Sequence, residues 1–115
     1  MTVGELIKDL ELEPLTGNTN LEQTVGSGYV SDLLSDVIAN IDEDAAWITI
    51  QRHVNILGVA KLKDVAAIIV PRKLHVEQDV IDKAKEQGIA LLRGRQSAFE
   101  LAGMLYNALI RDRGA

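Results

Sequence analysis

Three short apolar runs constrain this chain most: Ala46–Ile50 (AWITI), Ala66–Val70 (AAIIV) and Ile89–Leu92 (IALL). Each is followed by a segment of helical period: VNILGVAKL from Val54, EQDVIDKAKEQG closed by Gly88, and SAFELAGMLYNALIRDR from Ser97. A strand that is apolar at every position is buried on both faces. Such strands, alternating with helices, specify a parallel sheet covered on both sides. The expected fold class is therefore α/β, a mainly parallel sheet sandwiched by helices. A chain of 115 residues supports one core of this kind, so residues 1–115 are read as a single domain.

Residues 1–28 are less regular, and a regular pattern begins at residue 29. Thr2 is placed to cap a helix over VGELIKDL, in which Leu6, Ile7 and Leu10 form a stripe. Glu11–Leu15 reads as extended, residues 16–20 as a turn, and Leu21–Val25 as a further short strand. YVSDLLSDVIANI carries Val30, Leu33, Leu34, Val37, Ile38 and Ile41 at helical spacing, so a helix capped by Ser31 is expected there. Ser97 with Glu100 predicts a capping box at the start of the last helix.

Charge and composition exclude several chemistries. A formal net charge of −5 argues against nucleic acid as a partner, since such binding rests on neutralising phosphates. There is no cysteine, hence no thiolate nucleophile and no thiolate metal site. No apolar run approaches the roughly 20 residues that span a bilayer. The opening MTVGELIKDL is interrupted by charges, unlike a signal peptide. A cytoplasmic protein without membrane contact is the expectation. No Ser-His-Asp order, His-Glu-x-x-His or Gly-x-Ser-x-Gly occurs, so no catalytic residue, metal or cofactor is assigned.

Function is sought at the strand ends. In parallel sheets ligands bind beyond the carboxyl ends of the strands, where helix N-termini offer backbone N–H groups. The three apolar runs exit into Gln51-Arg52-His53, Pro71-Arg72-Lys73 and Arg93-Gly94-Arg95-Gln96-Ser97. Five of the twelve Lys and Arg residues thus collect on one edge of an acidic chain. Bare cations beside helix N-termini are disfavoured unless an anion answers them. The candidate anion-binding set is Gln51, Arg52, His53, Asn55, Arg72, Arg93, Arg95 and Ser97, with backbone N–H groups near Asn55 and Ser97 as co-donors. The competing reading is an ordinary wet edge, with Arg72 or Lys73 paired to Glu77 or Asp79.

Two other places are candidates for a second site or an interface. Gly26-Ser27-Gly28, ahead of the expected helix, can admit a phosphate oxygen but lacks the lysine and spacing of a P-loop. Asp32 and Asp36 are four apart, as paired carboxylates on one helix face would be. The last helix carries an apolar stripe beyond the one its core requires, through Phe99, Tyr106 and Ile110, with small Gly103 between them. A homodimer contact is expected there.

GYVSDLLSDVIANI, AWITIQRHVNILGVAKLKDVAAIIV and AKEQGIALLRGRQSAFELAGMLY together resemble a stand-alone DRTGG domain over roughly residues 1–110. The resemblance implies the fold of the N-terminal domain of HPr kinase/phosphorylase, without its P-loop catalytic domain. It also implies a dimerising or regulatory role, since such domains accompany CBS domains in regulated pyrophosphatases and phosphotransacetylase domains. Some small stand-alone relatives are similar to proteins encoded near iron-only hydrogenases. The Gly-Asp-Arg turn common in the family corresponds here to Gln51, Arg52 and His53, and its Thr-Gly-Gly to Val70-Pro71-Arg72. The reading that follows is a non-catalytic regulatory or accessory module that senses a small anionic ligand, with an adenine nucleotide as the leading candidate. The alternative is a ligand-free scaffold for a partner enzyme, for instance a hydrogenase-related one. A third reading is an enzyme that uses His53.

Overall fold

The computed structural model describes residues 1–114. In chain order its elements are α1 (Val3–Leu10), β1 (Glu13–Pro14), β2 (Ser27–Val30), α2 (Leu34–Asn40), β3 (Ala45–Ile48), α3 (Asn55–Leu62), β4 (Ala67–Val70), α4 (Gln78–Glu86), β5 (Ala90–Arg93) and α5 (Ala98–Asp112). One sheet runs β1-β5-β4-β3-β2, with β2 to β5 parallel and β1 antiparallel to β5. The expected α/β sandwich is present.

Strands β2 to β5 lie side by side in chain order. Right-handed crossovers between such neighbours must all pass over the same face. Accordingly α2, α3 and α4 pack on one side, with Val37, Ile56, Leu57, Val80 and Ala84 against Trp47, Ile68 and Leu91. Among the described residues no parallel strand follows β5, and α5 lies on the opposite face. There it joins α1 over Ile48, Ile69 and Leu92.

The register explains how closely α5 approaches. Gly28, Ala46, Ala67 and Ala90 are aligned across four strands, giving a row of small residues on the α5 face. A Cβ at Gly28 would lie 2.6 Å from Cδ2 of Leu105. On the three-helix face the next row is Tyr29, Trp47, Ile68 and Leu91.

Three expectations are corrected. The helix over YVSDLLSDVIANI begins only at Leu34, because Tyr29 and Val30 are paired to Trp47 and Ile48 as strand β2. Ser31 does not cap it; its Oγ accepts from the Leu33 N–H in the connecting loop, at 3.3 Å. The strand expected at Leu21–Val25 is absent apart from a single bridge between Thr2 and Thr24. That segment instead supplies carbonyls to the first turn of α1. Val3 N–H donates to Gln23 O and Gly4 N–H to Leu21 O, at 2.9 and 3.0 Å. Both are N-terminal donors with no partner inside the helix. Thr2 caps α1 as expected and, with Glu5, forms a full capping box there; the Ser97–Glu100 capping box forms as the sequence predicts.

Candidate functional site

Helices α4 and α5 leave the sheet from neighbouring strands toward opposite faces. A crevice for a ligand opens beyond the strand ends at such a point. Here the two loops that border it are laced together. Arg72 N–H donates to Gln96 O and Lys73 N–H to Gly94 O, both at 2.8 Å, and Gly94 N–H donates to Val70 O at 2.9 Å. The side chains of Arg72, Lys73 and Arg95 stand on the rim. None of the three makes an ion pair or side-chain hydrogen bond among the described residues. Beside them the Oε1 atom of Gln96 is buried without a hydrogen-bond partner.

The backbone at this rim is strained. Arg72 and Lys73 have φ of 55° and 50°, two consecutive left-handed residues, neither of them glycine. The left-handed conformation costs an L-residue about 1–2 kcal/mol, and glycine avoids most of that. Part of the gain is offset because glycine leaves the unfolded chain more freedom. Replacing Lys73 by Gly is expected to raise stability by about 0.5–1 kcal/mol, read from the urea midpoint. A midpoint that falls would show that the Lys73 side chain makes a stabilising contact.

The other predicted ligand residues are committed within the protein. Arg52 donates through Nε to Ile50 O at 3.1 Å and through Nη1 to His75 O at 2.8 Å, tying the β3 exit to the loop before α4. Gln51 Nε2 donates to Asp32 O at 2.9 Å. His53 Nδ1 accepts the Asn55 N–H at 3.2 Å, so the first co-donor is occupied. The second is occupied as well: Ser97 N–H donates to Glu100 Oε1 at 3.1 Å, and the Glu100 carboxylate adds negative charge there. Arg93 forks onto Glu13 through Nε and Nη2, at 3.0 and 3.1 Å, and reaches Leu74 O with Nη1 at 3.2 Å. The pairs foreseen from Arg72 or Lys73 to Glu77 or Asp79 do not form; Glu77 lies 3.5 Å from His75 Nε2 instead.

The second candidate site changes character. Ser27 and Gly28 lie in strand β2, and no glycine turn precedes a helix there. Asp32 and Asp36 do not share a helix face, because Asp32 precedes α2. Asp32 Oδ1 accepts from Thr49 Oγ1 and from Ile50 N–H, both at 2.9 Å, and so fastens the α2 entry to the end of β3. Asp36 Oδ2 accepts from the Tyr29 hydroxyl at 2.8 Å. Among the described residues no group of three or more His, Cys, Asp or Glu side chains is placed to hold a metal ion.

The Tyr29–Asp36 bond gives a pH signature. The phenol's hydrogen bond, followed by that of Ser31, lowers the Asp36 pKa from its ordinary value. The same bond raises that of Tyr29. A lowered carboxyl contributes stability above about pH 4, lost as pH falls through its folded-state value. The raised phenol contributes below about pH 10, and loses its share as pH rises through its own folded-state value. Urea midpoints followed from pH 5 down to 2.5 should therefore fall less steeply in Tyr29→Phe than in the wild type. Equal slopes would mean that the bond does not discriminate between the charged and neutral carboxyl.

No protein-family model matches the chain. It is 28% identical, over a 132-position alignment, to HPr kinase/phosphorylase of Streptococcus uberis. That alignment takes in 98% of this chain but spans only 43% of the relative's length. Among solved structures it is similar to the CBS and DRTGG domains of the regulatory region of Clostridium perfringens pyrophosphatase, determined with the activator diadenosine tetraphosphate. The TM-score is 0.71 at 15% identity, over 90% of this chain and 45% of that one. The chain has the fold of a DRTGG domain, the fold also found at the N-terminus of HPr kinase/phosphorylase.

Proposed function

We propose that this domain is a non-catalytic regulatory or accessory module that senses a small anionic ligand, with an adenine nucleotide as the leading candidate. The observation that carries the reading is the rim between β4 and β5. Three cations without partners among the described residues, Arg72, Lys73 and Arg95, stand there on a chain of net charge −5. The fold likeness supports it, since that neighbour is the regulatory region of an enzyme and was determined with a nucleotide activator. The anion meets the rim side chains and leaves Arg52 and Arg93 in their structural roles.

Kinase chemistry is not carried over. The chain spans 43% of its kinase relative and has no Gly-x-x-x-x-Gly-Lys-Ser/Thr segment, without which the phosphate cradle of P-loop enzymes is missing. His53 spends Nδ1 on the α3 entry, which disfavours it as a catalytic base.

A thermal-shift panel of AMP, ADP, ATP, diadenosine tetraphosphate and inorganic phosphate tests the reading. Ligand at a hundredfold excess over its Kd should stabilise the fold by about 2.7 kcal/mol. No shift with any of them favours the alternative, a scaffold that docks a partner enzyme. The exposed Leu33 and Ile38 at α2 are the observation on that side.

A further inference from the structure

The two edges of the sheet are finished differently. β1 is two residues long, Glu13 and Pro14, so a charge and a proline close that side against further pairing. β2, at the other edge, is Ser27-Gly28-Tyr29-Val30, with neither charge nor proline. Among the described residues its backbone makes no hydrogen bond outside the ladder with β3. Arg113 Nη2 donates to Gly26 O at 2.9 Å, which closes the edge just ahead of β2 and leaves β2 itself open.

A cavity of about 190 Å³ lies along this open edge, on the α5 face. Gly28 and Val30 form one wall, and Ala102, Leu105, Tyr106 and Leu109 the rest. Small-molecule sites run to about 300–1,000 Å³; this one has room for a single bulky side chain. Of the α5 residues expected at a homodimer contact, only Tyr106 borders it; Phe99, Gly103 and Ile110 do not. On the opposite face of β2, the Tyr29 hydroxyl donates to Asp36 Oδ2 and Asn40 Nδ2 to Asp36 Oδ1, at 2.8 and 3.0 Å. The half-buried Asp36 carboxylate has no cation paired to it among the described residues.

We propose that the β2 edge binds an extended segment of another protein, one with a bulky apolar residue beside a lysine or arginine. The occupant follows from the edge, the cavity and the charge. A strand answers a row of unpaired N–H and C=O groups, and this is how peptides extend a sheet. Successive side chains of a strand point to opposite faces. An apolar residue seated in the cavity therefore sends its neighbours to the α2 face, where Asp36 has acceptor positions left for a cation. A second copy of β2 brings no cation to Asp36, which disfavours self-pairing. The edge stands apart from the anion reading, whose rim lies between β4 and β5 across the sheet.

Titration of isotope-labelled protein with the peptide TKLKVKT, followed by NMR, tests the proposal. Amide shifts should concentrate in residues 27–30 and along the α5 wall of the cavity. The outward amides of β2 should gain protection from hydrogen exchange. Replacing the lysines by aspartate, in TDLDVDT, should abolish binding. The pairing itself is read by N-methylation, since methylating alternate residues disables one edge of a strand. Of two peptides, one methylated at the lysines and one at the leucine and valine, one should bind and the other should not. Ala102→Phe fills the cavity and should abolish binding while keeping or raising the thermal midpoint. Asp36→Asn should weaken binding by roughly tenfold or more. No binding of TKLKVKT at millimolar concentration, equal binding of TDLDVDT, two methylated peptides that behave alike, or binding undiminished in both variants would each overturn the proposal. So would β2 amides already protected in the free protein in a concentration-dependent manner, since a second copy would then cover the edge.

Discussion

Trp47→Ala is expected to cost about 3–5 kcal/mol, the range for deleting a large buried aromatic side chain. Few domains have more than 5–15 kcal/mol to lose. Trp47 is fully buried on β3, in the row Tyr29, Trp47, Ile68 and Leu91 that runs beneath α2, α3 and α4. Its indole Nε1 donates to Ser31 O at 2.9 Å, so the ring also holds the loop between β2 and α2. Trp47→Phe keeps most of the apolar contact and loses that bond, adding about 0.5–1.5 kcal/mol to a smaller cavity cost. Since Trp47 is the chain's one tryptophan, unfolding of the variants must be followed by circular dichroism. A loss below about 1.5 kcal/mol for Trp47→Ala would mean that the row collapses around the gap, and that the sheet is not tightly packed there.

What the sequence reveals divides along physical lines. Strands β3, β4 and β5 are legible because burial on both faces makes them apolar at successive positions. Strand β2 lies at the sheet edge, with Ser27 and Gly28 in it and Val30 exposed, so no apolar run marks it. Val30 and Leu33 continue the helical spacing of α2 in the sequence, yet Val30 is paired in β2, Leu33 precedes the helix, and both are exposed.

The site divides in the same way. The cations on the carboxyl edge are legible because each follows a strand. Their commitments are not, since Arg52 is bound to His75 and Arg93 to Glu13, partners 23 and 80 residues away. The loss of Ser97 N–H as a ligand donor is different. It follows from the Ser97–Glu100 capping box, which is itself visible in the sequence. A capped helix start has already spent the donor that an anion would use.

Reversing the rim charges should have the largest effect on binding. A charge-assisted hydrogen bond is worth about 1.5–3 kcal/mol, or roughly 10-fold to 150-fold in affinity per contact. The triple variant Arg72→Glu, Lys73→Glu, Arg95→Glu should therefore lower the affinity for an adenine nucleotide by more than about 100-fold. Its stability should shift by no more than about 0.5 kcal/mol per site, because the three side chains are exposed and have no partner to lose among the described residues. Arg52→Ala should behave in the opposite way. It releases the Ile50 and His75 carbonyls and should cost about 1–3 kcal/mol of stability while leaving nucleotide affinity unchanged. Added salt should weaken wild-type binding, since charges on an open rim are screened beyond about 8–10 Å at ordinary ionic strength. Isothermal titration and urea melts on the same two variants separate these outcomes. If Arg52→Ala abolishes binding at unchanged stability and the triple variant still binds, the anion sits at the end of β3, and the rim between β4 and β5 is a wet surface.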